Sequence, residues 1–173
     1  MRDLKDKKGL ITGAASGIGR ATAIAMGKSG CRLFLTDING DDLNKTVEII
    51  EGAGGTVCLA RPFDVGNYPA MSDFAQDIHA GFGSLDILIN VAGIALFPQI
   101  EDMSHNDWEK VIKVNLWGVI HGLECFVPDM IRAGNGGHIV TISSTAGIIG
   151  LPWHTCLRGN EARSCRHVRG SAL

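Results

Sequence analysis

A chain of 173 residues is long enough for one domain with a substantial core. Its formal charge of −2 and 45% hydrophobic content exclude a basic field for nucleic acid or for a membrane surface. The charged start Met1–Lys8 does not read as a secretory leader, and the longest apolar run, 87–97, is broken by Asn90 and Gly93 and too short to span a bilayer.

Short apolar runs then alternate with helical patterns. Gly9–Thr12 reads as a strand and Gly17–Ser29 as a helix; Arg32–Asp37 is a second strand. Apolar residues at 43, 47 and 50 give Asp41–Glu51 helical spacing. Thr56–Arg61 is a third strand, Met71–Phe82 a third helix, and Leu85–Asn90 a fourth strand. Ser104 with Asp107 resembles a capping box opening one long helix through about Arg132. His138–Ser143 follows a glycine-rich turn as a fifth strand. Near-continuous apolar strands between amphipathic helices predict an α/β domain with a parallel sheet covered on both faces. The five cysteines, at 31, 58, 125, 156 and 165, form no C-x-x-C pair and read as free thiols of a cytoplasmic protein, not as a disulfide or zinc framework.

The segment Thr12-Gly-Ala-Ala-Ser-Gly-Ile-Gly19 lies where the first strand turns into the first helix. Glycines at 13, 17 and 19 allow a tight turn and a close approach to a pyrophosphate, which would sit at the helix N-terminus. Asp37 ends the second strand, 18 residues past Gly19. A carboxylate there accepts from both ribose hydroxyls and repels a 2′-phosphate, which favours NAD over NADP; the alternative is a turn or helix-capping aspartate.

With these motifs in place, the chain resembles the classical short-chain dehydrogenase/reductase family over about residues 8–155. The family's T-G-x-x-x-G-x-G is Thr12–Gly19, with Ser16 and Ile18 inside it. Its aspartate after the third strand, which meets the adenine amino group, corresponds to Asp64, followed by Val65. Its N-N-A-G is Asn90-Val-Ala92-Gly93, and its mid-helix asparagine is Asn115. Its catalytic serine falls within Ile142–Gly147: Ser144 is the better match and Ser143 the alternate, although either can simply finish a strand. The resemblance implies a Rossmann-type doubly wound sheet and hydride transfer between NAD and a small alcohol or ketone. It also implies that Asn90 holds backbone on the adenosine side, that Asn115 kinks its helix and holds a relay water, and that full-length relatives are homo-oligomers. A polar amide in the apolar stretch around Asn115 needs partners in any case.

The match then fails. The family's acid–base tyrosine and lysine belong 13 residues past Ser144 and four beyond that, where Leu157 and Glu161 stand. Tyr68 is the chain's only tyrosine. Residues 156–173 carry no helical or strand period and read as a disordered tail after a truncated dinucleotide-binding domain at 1–155. One permitted codon choice for Cys156–Ala162, TGC CTA CGC GGC AAC GAA GCC, reads Ala-Tyr-Ala-Ala-Thr-Lys once its first T is skipped. That places a tyrosine codon at position 157 and a lysine codon at 161, the register Ser144 demands.

The expectation is the front part of an NAD-dependent oxidoreductase, catalytically defective, lacking the family's last strands and helices. Its fifth strand would then be an unpaired edge. The apolar set Trp108, Val111, Ile112, Leu116, Val119, Ile120, Leu123, Phe126, Val127 and Met130 would be partly uncovered, giving poor solubility. A non-catalytic dinucleotide-binding protein is the alternative.

Overall fold

The computed structural model describes residues 3–97 and 99–145. Expectations placed on 146–173, including Leu157, Glu161 and the tail, lie outside the described residues. Five strands, β1 (Lys8–Thr12), β2 (Arg32–Asp37), β3 (Thr56–Pro62), β4 (Ile87–Asn90) and β5 (His138–Thr141), form one sheet in the order β3-β2-β1-β4-β5. Every pairing is parallel, in registers such as Leu10 with Phe34 and with Leu88. The chain starts in the middle, winds outward through β2 and β3, then crosses to β4 and β5. This is a Rossmann-type doubly wound topology.

Strand alternation assigns the core to two faces. Ile11, Leu33, Leu35, Ile87 and Ile89 pack against α1 (Gly17–Lys28) and α2 (Gly40–Gly52) through Ala23, Met26, Leu43 and Ile50. Leu10, Phe34 and Leu88 point the other way, toward Phe74 and Ile78 of α3 (Tyr68–Phe82) and toward Phe126 and Met130 of α5 (Gly118–Ala133). Full burial of each such side chain stabilises the domain by about 1.5–3 kcal/mol. Cys31, Cys58 and Cys125 are free thiols, and burial above all pushes Cys31 and Cys125 up to about 11. Among the described residues, no helix is long and apolar enough to cross a membrane.

Four expected boundaries are corrected. Helix α3 begins at Tyr68, not Met71, because Asn67 caps it by accepting from the Ala70 N–H and Pro69 fits its first turn. That turn faces solvent and carries no apolar period. Strand β4 begins at Ile87, since the Asp86 side chain turns aside to accept from the Lys8 N–H. The helix expected in one piece from Ser104 is three: α4 (His105–Ile112), a π turn at Lys113–Trp117, and α5. The expected capping box is present, with Ser104 and Asp107 bonded reciprocally.

Strand β5 ends at Thr141, so Ser143 and Ser144 lie beyond it, although the Ile142 N–H still donates to the Asn90 carbonyl. The apolar set of the long helix is partly covered. Val111, Val119, Phe126 and Met130 are buried and the others half-buried; the exposed large apolar residues on α5 and the π turn are Trp117 and Ile131, which lie outside that set.

Candidate functional site

The carboxyl ends of β1, β2 and β4 open onto one cleft, where doubly wound sheets place their ligands. Thr12 closes β1 and is buried. Its hydroxyl oxygen accepts from the Val91 and Ala92 N–H groups, at 3.0 and 3.1 Å, and so ties the end of β1 to the loop after β4. Gly13 follows with φ +68, and a Cβ there would stand 2.8 Å from the Ala92 nitrogen. A Cβ on Gly19 would meet the Gly13 carbonyl oxygen at 2.0 Å. The turn therefore closes on itself only with glycine at both positions. Gly17, with φ +48, has open space where a Cβ would stand.

Helix α1 begins on this turn without a side-chain cap and with no acidic residue in its first turn. By contrast, α2, α3 and α4 each have an Asn or Ser side chain bonded to a first-turn N–H, and α2 and α4 add acidic residues. The start of α1 thus presents backbone donors and the positive end of the helix dipole to the cleft.

The cleft holds two adjoining cavities of about 490 and 400 Å³. Gly13, Ser16, Gly17, Gly19, Asp37, Asp64 and Val65 line the first; Asn90, Asn115, Ser143 and Ser144 line the second. Ile18, Val91, Ala92, Gly93 and Ile94 form the wall they share. Every candidate side chain expected from the described sequence therefore borders this cleft except Thr12, which braces it from beneath. Tyr68 lines neither cavity; it packs edge-on against the ring of His121.

Asp37 accepts from the Ala15 N–H and the Asn39 N–H, each at 2.9 Å. It therefore organises the turn after β2 and also walls the first cavity, so its turn role and its cavity position coexist. Asp64 accepts from the Gly66 N–H at 2.8 Å and from the Lys113 ammonium at 2.9 Å. Partial burial works to raise its carboxyl, but the Lys113 bond, the Gly66 N–H and the neighbouring Lys113 and His121 outweigh that. The net effect holds it below the usual carboxylate range.

Asn90 lines the second cavity. Its Nδ2 donates to the Thr141 hydroxyl at 3.4 Å, and its buried Oδ1 has no partner among the described residues. Asn115 sits at the centre of the π turn. Its Oδ1 accepts from the Ile94 N–H at 2.8 Å while its Nδ2 donates to the Ile94 carbonyl at 2.9 Å. The partners that an amide in an apolar helix needs are thus one backbone unit in the cavity wall. Sequence reasoning missed Lys113 and His121. The signal for His121 was the one that exposed Asn115, a polar residue amid V-I-H-G-L. Lys113 gave none, because its partner lies 49 residues away.

The short chain dehydrogenase family model matches residues 7–156. An uncharacterized oxidoreductase of Mycobacterium tuberculosis is 40% identical over 162 residues, covering 87% of this chain and 58% of that protein. A C alpha-dehydrogenase of Sphingobium is 38% identical over 151 residues, covering 87% of this chain and 49% of its own length. The chain thus spans about half the length of these relatives. Among solved structures, a Burkholderia phymatum short chain dehydrogenase/reductase in complex with NAD superposes with TM-score 0.93 at 31% identity, covering 98% of this chain and 60% of that one. Apo LigD from Sphingobium gives 0.92 at 35%, covering 97% and 72%. Fold, glycine turn and family match agree, and the chain belongs to the short-chain dehydrogenase family.

Proposed function

We propose that residues 8–155 hold NAD in this cleft and that the chain derives from an NAD-dependent oxidoreductase of small alcohols or ketones. The observation that carries the reading is the bare start of α1, its donors turned to a cavity that Asp37 also walls. The residues present suit a dinucleotide. Gly17 leaves open space for a pyrophosphate, Gly13 and Gly19 let the turn close beneath it, and Ser16 adds a hydroxyl beside it. Asp37 has lone pairs left for ribose hydroxyls, and its charge opposes a 2′-phosphate, so NAD is preferred to NADP. Asp64 and Val65 close the adenine end, while Ala92 and Gly93 line the passage to the second cavity. The NAD-bound Burkholderia phymatum relative supports the assignment.

NAD, when bound, supplies a hydride acceptor at its nicotinamide ring. In the second cavity Ser144 would donate a hydrogen bond to the substrate oxygen, and Asn115 positions the wall at Ile94. What is missing is the group that moves the substrate's proton. Leucine at 157 has no exchangeable proton, and glutamate at 161 has the wrong charge to assist a tyrosine. Losing such an acid–base typically lowers rate by about 10²–10⁴. This favours a binding-competent, catalytically defective chain, and out-of-frame coding of residues 156–173 accounts for it. The nucleotide sequence across codons 150–175 tests the frame. Titration of the chain into NADH, read by fluorescence, should show saturable binding, and NAD with a panel of secondary alcohols should show no turnover. Turnover at rates ordinary for a dehydrogenase would overturn the proposal of a defective chain, and absence of NADH binding would overturn the cofactor assignment.

A further inference from the structure

Lys113 has no role in the reading above, yet its contacts are specific. It is the first residue of the π turn, and its ammonium reaches back to Asp64 on the loop after β3. Its stem lies across Gly66: a Cβ on Gly66 would stand 2.4 Å from Lys113 Cγ and 2.9 Å from the Lys113 carbonyl oxygen. Any side chain at 66 would lift the lysine off the loop. Two further residues of the same helical run dock on that loop. His121 meets the Val65 carbonyl through Nδ1 at 2.9 Å, and a Cβ on Gly118 would stand 2.6 Å from Val65 Cγ2. Two residues beyond Lys113, Asn115 grips Ile94 in the second cavity. One helical run, 113–121, therefore braces the Asp64–Val65 wall of the first cavity and the wall that the two cavities share.

We infer that Lys113 is a positioning residue for the adenine end of the bound dinucleotide. Resting on the NAD reading above, it fixes the Asp64 carboxylate at the rim of the first cavity as an oriented acceptor. Lys113 and Gly66 each occupy one Asp64 oxygen, which sets the rotamer, and each oxygen keeps a lone pair for a donor in the cavity. The exocyclic amine of adenine is such a donor. The keto oxygen of hypoxanthine is an acceptor and is repelled. Lys113 is half-exposed, so the ion pair itself adds little to fold stability; its loss is read in ligand selectivity.

The test titrates the full chain and the variants Lys113→Met, Lys113→Arg, Asp64→Asn and the double variant D64N/K113M. The probes are NADH, its hypoxanthine analogue, and reduced nicotinamide mononucleotide. The unaltered chain should prefer NADH to the hypoxanthine analogue. Lys113→Met keeps the stem over Gly66 and should weaken NADH by about 3- to 10-fold, as for one lost oriented hydrogen bond, while leaving the other two probes unchanged. Lys113→Arg should restore the preference, and the double variant should bind NADH no worse than Asp64→Asn alone. Equal weakening of all three probes, unchanged NADH affinity in Lys113→Met, or additive losses in the double variant would each overturn the inference. These outcomes leave the NAD reading standing. Failure of the unaltered chain to bind NADH overturns both.

Discussion

Among the described residues, two helices start from an N-cap serine, and the two starts are opposites. At α4, Ser104 accepts from the Asp107 N–H while the Asp107 carboxylate accepts from the Ser104 N–H, so the helix end is satisfied by its own residues. At α1, Ser16 makes no capping bond and no acidic side chain follows it. The first arrangement is a stability device and the second leaves donors and dipole for something from outside. The same residue type at the same helix position thus caps the helix in one place and leaves its end open to the cleft in the other. What separates them is the neighbouring sequence, Asp107 in one case and the glycine turn in the other.

The comparison breaks most violently at Gly19. Replacing it with alanine drives a Cβ into the Gly13 carbonyl at 2.0 Å. We expect a destabilisation of about 3 kcal/mol or more, seen as a lowered denaturant midpoint, together with loss of measurable NADH binding. Asp37→Asn keeps the side chain's shape and one of the two N–H bonds from Ala15 and Asn39, sets an amide NH2 against the other, and removes the negative charge from the first cavity. It should narrow the preference for NADH over NADPH by roughly 10-fold, measured as a ratio of dissociation constants.

The paired serine variants sharpen the contrast directly. Ser104→Ala should cost about 1 kcal/mol of stability with NADH affinity unchanged. Ser16→Ala should leave stability within about 0.5 kcal/mol and weaken NADH about 3-fold. Equal stability losses for the two would erase the distinction.

The smallest effect is in pH. Asp107 is held below the usual carboxylate range by its bonds to Ser104, and Asp64 by Lys113 and Gly66 against the opposing effect of burial. A depressed folded-state value means that the stabilisation is full above the unfolded value and fades as pH falls through the folded one. Stability should therefore be flat above about pH 5 and decline below about pH 4, where an unfolded aspartate begins to protonate. In Ser104→Ala the decline should be shallower.

How much of this was legible in the sequence follows from range. The strands were legible because β1, β2 and β4 are apolar on both faces, and their near-continuous runs mark a buried parallel sheet. The glycine turn was legible because its three glycines act locally. The π turn at Lys113–Trp117 was not, since its apolar residues keep an ordinary helical period; only the family resemblance implied a kink at Asn115. The start of α3 escaped because Asn67 and Pro69 cap a solvent-facing turn. Lys113 and Asp64 are 49 residues apart, and nothing in either stretch announces the other. Asn90 was legible as a strand-end amide, but its partner Thr141 was not, because that contact depends on which strand lies beside β4.

The most direct test of the central claim is calorimetric titration of the unaltered chain with NADH and, separately, with NADPH. The account predicts one NADH site per chain and NADPH binding at least about 10-fold weaker, the Asp37 charge opposing the 2′-phosphate. No heat with either dinucleotide, or equal affinity for both, would contradict it.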